Sequence, residues 1–143
     1  MRVLGIDIGT RRVGLAISDP TQTLARPLKT LPVNGRADAV ARVLIEIERL
    51  GAEEDGLGAI VVGLPARLDG SPSEQTSHAA AFVAALAART SVPIARMDER
   101  LTSWEADSRL ARSEPDWRRR KAQLDAAAAA VILQDYLDRD GRA

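Results

Sequence analysis

The sequence predicts one layered α/β domain, residues 1–143, in which helices flank a five-stranded mixed sheet. Three patterns indicate this fold class. Two short apolar runs separated by a glycine turn begin the chain, a continuously apolar run of strand length follows, and apolar residues at helical spacing fill the segments between the later strands. Such an order predicts a sheet that opens with a hairpin and continues through right-handed crossovers.

The first three strands are predicted near the start of the chain. Residues 2–9 and 12–18 are apolar and rich in valine and isoleucine, and the turn Gly9–Arg11 between them indicates a β-hairpin. Residues 24–31 form a candidate third strand. Because Pro27 has no N–H to donate to a neighbouring strand, we expect this strand at an edge of the sheet.

Helices and parallel strands are expected to alternate after the hairpin. Residues 37–50 carry apolar side chains at helical spacing, and Gly51 is the expected C-cap. Residues 58–64 form an almost unbroken apolar run, which is typical of a parallel strand covered on both faces, and Pro65 ends it.

The second half of the chain repeats this alternation. Its pattern predicts a helix over 73–89, a strand over 93–97, a helix over 102–112 that opens with a capping box, and a last helix over 116–137.

Composition restricts the class of protein. The chain has no cysteine, which excludes disulfides and thiolate metal sites and favours a reducing compartment. No run approaches the roughly 18 apolar residues that span a bilayer, so we expect a cytoplasmic protein without membrane contact. The formal net charge is zero, so a nucleic-acid-binding surface would have to be a local patch.

Acidic residues are predicted to meet at one edge of the sheet. Asp7 ends the first strand and Asp98–Glu99 ends the last, and ligands gather outside the carboxyl ends of parallel strands. A carboxylate within the apolar run Gly5–Gly9 loses hydration and needs a proton, a hydrogen-bond donor or a cation. Two interpretations of Asp7 stay open: a ligand role, or a structural one in which it accepts backbone N–H bonds in the turn, for example from Thr10.

Asp125 is the second unusual acid. It shares the inward-facing stripe of the last helix, at helical spacing from Ala122, Ala128, Ala129, Ile132 and Tyr136. Small alanines there would let the helix approach the sheet closely and bring Asp125 towards the other acids. The alternative is a solvated residue at the margin of the helix.

A group of acids without histidine or cysteine predicts Mg²⁺ or Mn²⁺ rather than Zn²⁺. Two such ions about 4 Å apart can activate a water molecule and stabilise the leaving oxygen of a phosphodiester. His78 is the only histidine, and we expect it on the surface, away from these strand ends. The motif Asp-x-Gly-Thr at residues 7–10 also holds nucleotide phosphates in actin-like ATPases and sugar kinases. Those proteins bind nucleotide between two lobes, whereas 143 residues can supply one.

Five segments together resemble one protein family. They are residues 4–20 (LGIDIGTRRVGLAISDP), 25–31 (ARPLKTL), 60–71 (IVVGLPARLDGS), 98–106 (DERLTSWEA) and 118–138 (RRRKAQLDAAAAAVILQDYLD). In this order they resemble the YqgF-type, or RuvX-type, resolvases and pre-ribosomal-RNA nucleases over almost the whole chain.

The resemblance implies a ribonuclease-H-like fold and metal-dependent hydrolysis of nucleic-acid phosphodiesters, in processing of the 5′ end of pre-16S rRNA. It also implies the site. Asp7, Glu99 and Asp125 match the family's catalytic, metal-binding acids, and Asp98 is able to share the role of Glu99.

Several polar or basic residues are candidates for binding the phosphate backbone of a substrate. We expect phosphate contacts from Thr10, Arg11, Arg12, Arg100 and Lys121. Trp104 and Trp117 either stack on bases or pack as core and helix-cap residues.

Three hypotheses on function follow. The first is an Mg²⁺- or Mn²⁺-dependent nuclease acting on RNA, as a monomer or a homodimer. The second is a Holliday junction resolvase that cuts branched DNA as a dimer. The third is a non-catalytic ribosome-assembly or RNA-binding factor that retains its acids for structural reasons.

Overall fold

The structure is a computed structural model and describes residues 1–65, 74–99 and 117–139. The strands are β1 (Arg2–Ile8), β2 (Arg12–Ser18), β3 (Ala25–Pro32), β4 (Leu57–Pro65) and β5 (Ile94–Glu99). The helices are α1 (Arg36–Ala52), α2 (Glu74–Ala87) and α3 (Trp117–Arg139). The helix predicted over 102–112 lies outside the described residues.

The strands form one five-stranded sheet in the order β3-β2-β1-β4-β5. The pairs β1–β2 and β2–β3 are antiparallel, while β1–β4 and β4–β5 are parallel. The predicted mixed sheet is confirmed. So is the edge position of β3, where Pro27 lies opposite Ala16 at a shift of the ladder.

Helices cover both faces of the sheet. On one face, Leu4 and Ile6 of β1 pack with α1 and α2. The residues of α2 buried in this layer are those that its spacing predicts to face inward: Ala79, Phe82, Val83 and Leu86. On the other face, Val3 packs with Leu133 of α3. Because side chains alternate along a strand, Asp7 lies on the face that α3 covers.

Helix α3 packs unusually close to the sheet. A Cβ atom added at Gly5 of β1 would lie 2.7 Å from the Cβ atom of Leu133, and one added at Gly63 of β4 would overlap Ile132. Gln134 ties the helix to the edge of the sheet, since its Oε1 accepts the backbone N–H of Ala25 at 2.9 Å. The position of α3 is therefore fixed by a hydrogen bond to the sheet edge as well as by close apolar packing.

The predicted C-cap at Gly51 is wrong. Helix α1 continues through Gly51 to Ala52, and the N–H of Glu53 bonds the carbonyl oxygen of Leu50 at 3.2 Å. The end of the helix is stabilised from outside, because the Arg2 guanidinium donates to the same Leu50 oxygen at 3.1 Å. The left-handed residue of the following turn is Gly56, whose φ is 63°.

Replacing Gly51 with alanine is expected to stabilise the protein by about 0.5–1 kcal/mol, because a helical glycine loses more backbone entropy on folding than alanine. Within the described residues, no atom outside the adjoining helix backbone lies within 4 Å of the added methyl group. Urea unfolding measures the change. Gly56→Ala is the opposite case and should destabilise the protein, because Gly56 has a positive φ. A loss of stability in Gly51→Ala would contradict the assignment of Gly51 to helix α1.

None of the helices in the described ranges is long and apolar enough to cross a membrane.

Candidate functional site

An open cleft of about 370 Å³ lies where β1 ends. Three parts of the chain line it: the end of β1 with the turn to β2, the first turns of α2, and the N-terminal half of α3. The lining residues are Asp7, Ile8, Gly9, Thr10, Arg11, Arg12, Gln75, His78 and Asp125. Two predicted acids, from segments far apart in sequence, thus share one cleft.

Asp7 is the more enclosed of the two acids. It lies in the central strand, opposite Gly14 of β2 and Gly63 of β4. Burial and, to a lesser degree, the negative charge of Asp125 together raise the pKa of its carboxyl to about 7. No hydrogen bond from a described residue offsets these effects, so the structural interpretation with Thr10 as donor has no support.

Gly14 brings Asp125 to the cleft. A Cβ atom at Gly14 would overlap the backbone carbonyl oxygen of Asp125 and would lie 2.9 Å from the backbone nitrogen of Ala126. Since Gly14 is also the partner of Asp7 across the β1–β2 ladder, the helix rests on the sheet beside the first acid. The inward position that helical spacing predicts for Asp125 is confirmed.

Arg12 contacts an acid in this structure. Its Nε donates to Oδ2 of Asp125 at 2.7 Å. We predict phosphate binding for Arg12, Arg11 and Thr10, and all three are exposed and line the cleft. The ion pair with Asp125 is a contact that the sequence pattern does not reveal, because the two residues lie 113 positions apart.

The expected surface position of His78 is wrong. Its side chain is partly buried and lines the cleft, and no described residue hydrogen-bonds to its buried Nε2. Gln75 lies three residues earlier, on the same face of α2. The sequence does contain a clue, because a helix that follows a parallel strand begins at the sheet edge where that strand ends, which is the edge of Asp7.

A family comparison agrees with this architecture. Residues 1–139 match the RuvX family model, which is described as Holliday junction resolvase. The chain belongs to the RuvX family. The family expected from the sequence segments is therefore confirmed.

Close relatives of this RuvX chain are named "Putative pre-16S rRNA nuclease". The protein from Maridesulfovibrio salexigens is 44% identical over 97% of this chain and 99% of its own length. The protein from Chloroflexus aggregans is 43% identical over 95% of this chain and 92% of its own length. The protein from Pelotomaculum thermopropionicum is 37% identical over 99% of this chain and 90% of its own length.

Solved structures agree on the fold of this RuvX chain. The fowlpox virus resolvase in complex with substrate Holliday junction DNA matches with a TM-score of 0.55 and 11% identity, over 96% of this chain and 97% of that one. The fowlpox virus Holliday junction resolvase on its own matches with a TM-score of 0.54 and 15% sequence identity, over 96% of this chain and 98% of its own. At such identities the likeness concerns the fold alone, and the expected ribonuclease-H-like fold is confirmed.

The remaining predicted site residues of this RuvX chain are placed only in part. Asp98 is exposed and alternates with Met97, which packs on the α3 side, so Asp98 points to the opposite face of the sheet. The backbone of Glu99 ends β5 opposite Pro65, but its side chain lies outside the described part.

Several of the predicted basic and aromatic residues also lie outside the described part of the chain. Arg100 and Trp104 lie outside the described ranges, as do the side chains of Lys121 and Trp117 in α3. Within residues 1–65, 74–99 and 117–139, no three acidic or histidine side chains converge on one metal position. The described part thus supplies two acids, Asp7 and Asp125.

Proposed function

We propose that the chain is a divalent-metal-dependent nuclease that hydrolyses nucleic-acid phosphodiesters, with the region of pre-16S rRNA at the mature 5′ end as its substrate. One observation carries the proposal: carboxylates from β1 and α3 meet in a single open cleft, beside exposed basic residues of a turn. The names of its close relatives support the choice of rRNA.

The two acids fit a hard divalent cation. Both offer only oxygen atoms, which suits Mg²⁺ or Mn²⁺. Burial and mutual repulsion raise the pKa of Asp7, and a cation between the carboxylates removes that repulsion. We propose Asp7, Asp125 and Glu99 as the ligands. When bound, the ion neutralises charge on the phosphodiester and makes water a stronger nucleophile.

The other residues of the cleft are suited to holding the substrate. Thr10 and Arg11 lie exposed on the turn after β1, where a hydroxyl and a guanidinium can donate to phosphate oxygens. Gln75 and His78 supply a polar wall with further hydrogen-bonding groups. The zero net charge predicts modest, salt-sensitive binding through few phosphate contacts. Arg100 and Lys121 remain proposed as additional phosphate contacts.

Cleavage assays on matched substrates test the proposal. Wild-type protein should cut RNA spanning the 5′ end of 16S rRNA in the presence of Mg²⁺ or Mn²⁺. Cleavage should stop when EDTA is added. Single-stranded DNA of the same sequence should be cut more slowly. Asp55→Asn, in the exposed turn before β4, controls for general loss of an acid and should cleave like wild type. RNA cleavage that persists in EDTA would contradict the proposal.

A four-way DNA junction belongs in the same panel, because the matching family model is described as a Holliday junction resolvase. Symmetric nicking of the junction at a higher rate than cleavage of RNA would favour a resolvase. RNA binding without cleavage of any substrate would favour a non-catalytic ribosome-assembly factor.

A further inference from the structure

The ion pair between Arg12 and Asp125 occupies the site proposed for the metal. Nε of Arg12 donates to Oδ2 of Asp125 at 2.7 Å, and both residues line the cleft with Asp7. Asp125 therefore already has a cationic partner, while Asp7 has none among the described residues. A divalent ion that binds both carboxylates has to compete with this guanidinium for Asp125.

We infer that Arg12 is the resident counter-ion of Asp125 in the metal-free protein, and that it leaves Asp125 when a divalent ion binds and then holds a phosphate of the nucleic acid. This inference rests on the proposed function and assigns Arg12 two successive partners, first the acid and then the substrate. It explains why Arg12, which is expected to bind phosphate, is paired with Asp125 in this structure.

The geometry allows the exchange without movement of the backbone. Arg12 begins β2, where it pairs with Pro32, and its carbonyl oxygen accepts the N–H of Gly9 at 2.9 Å. The hydrogen bond and the strand pairing hold the main chain of Arg12 in place. The side chain is 49% exposed, so the guanidinium can rotate away from Asp125 and stay within the same cleft.

Charge gives the exchange its direction. The two carboxylates and one guanidinium carry a net negative charge when Asp7 is ionised, and a divalent ion reverses the sign. Arg12 then lies beside a cation that repels it, and a phosphodiester is the anion that the proposed reaction brings. An arginine fork suits this exchange because it binds carboxylate and phosphate with similar geometry.

Calorimetric titration with Mn²⁺ alone tests the first step. Arg12→Gln removes the competitor, and its affinity for Mn²⁺ should exceed that of wild type by about two- to fivefold, the value of an exposed ion pair. Arg11→Gln is the matched comparison: it removes the same charge from the same cleft, but Arg11 forms no ion pair among the described residues. It should tighten Mn²⁺ binding less than Arg12→Gln does. Arg12→Lys, which keeps the charge, should stay near wild type.

Steady-state cleavage tests the second step. In Arg12→Gln, KM for RNA should rise although Mn²⁺ binds more tightly, and this opposite movement would not follow from a purely structural role. The inference is overturned if Arg12→Gln binds Mn²⁺ no more tightly than Arg11→Gln, or more weakly than wild type. Absence of cleavage by the wild type would instead refute the nuclease, while a selective gain of Mn²⁺ affinity in Arg12→Gln would still support the counter-ion role.

Discussion

Asp7→Asn is expected to abolish metal-dependent cleavage and, at the same time, to stabilise the metal-free protein at pH 8. Loss of cleavage follows if Asp7 holds the metal. Mutation of residues that merely orient metal ligands costs about 10- to 100-fold, so removal of a ligand should cost at least about 100-fold.

The gain in stability follows from the raised pKa of Asp7. The folded protein holds the Asp7 proton up to about pH 7, whereas an unfolded aspartate releases it near 3.8. Between these values the folded state binds more protons, so the free energy of unfolding falls as the pH rises from about 4 to about 7. The full difference of roughly three pKa units corresponds to about 4 kcal/mol as an upper bound.

Asparagine has the same shape as aspartate and carries no charge. The free energy of unfolding of Asp7→Asn should therefore not fall between about pH 4 and about pH 7. Urea unfolding of both proteins in EDTA should give similar stabilities near pH 4 and a variant more stable by a few kcal/mol at pH 8. Asp55→Asn, in an exposed turn, is the matched control for the loss of one acid. Equal stabilities at pH 8 would show that Asp7 is not destabilised by its surroundings, and undiminished cleavage would remove it from the site.

Gly14→Ala is expected to destabilise the fold and to impair the site together. The added methyl group would overlap the carbonyl oxygen of Asp125, so α3 has to move away from the sheet. Such overpacking typically costs about 1–3 kcal/mol. Displacement of Asp125 should also lower Mn²⁺ affinity and cleavage at least tenfold, since a shift of about 1 Å can cost 100-fold in rate.

Two measurements distinguish this effect from general destabilisation. Cleavage by Gly14→Ala should stay low at temperatures where circular dichroism shows the variant to be fully folded. Gly51→Ala makes the same chemical change where no atom of another described segment lies within 4 Å of the added Cβ atom, and it should keep full cleavage activity. Wild-type stability in Gly14→Ala would mean that α3 does not rest on β2 at this point.

Periodicity predicted much of the fold and part of the cleft. Alternation along β1 and helical spacing along α3 depend on backbone geometry, which is local, and they placed Asp7 and Asp125 correctly on facing surfaces. Their roles as ligands stay predictions, as does that of Glu99.

The features that the sequence did not predict depend on contacts between distant segments. The Arg12–Asp125 bond depends on how α3 lies across β2, which no local pattern records. His78 reaches the cleft because of where α2 begins relative to β4. The continuation of α1 past Gly51 involves Arg2, 48 positions before Leu50, whose guanidinium donates to the Leu50 carbonyl oxygen.

The close contact of α3 with the glycines of three neighbouring strands has a consequence for the tolerance of the site to change. Gly5, Gly14 and Gly63 together leave a shallow channel across the sheet, and α3 lies in it with Leu133, Asp125 and Ile132 against the three glycines. The segments that connect β5 to α3 therefore need not set the position of Asp125. Insertions or deletions between residues 99 and 117 should leave the spacing of Asp7 and Asp125 unchanged.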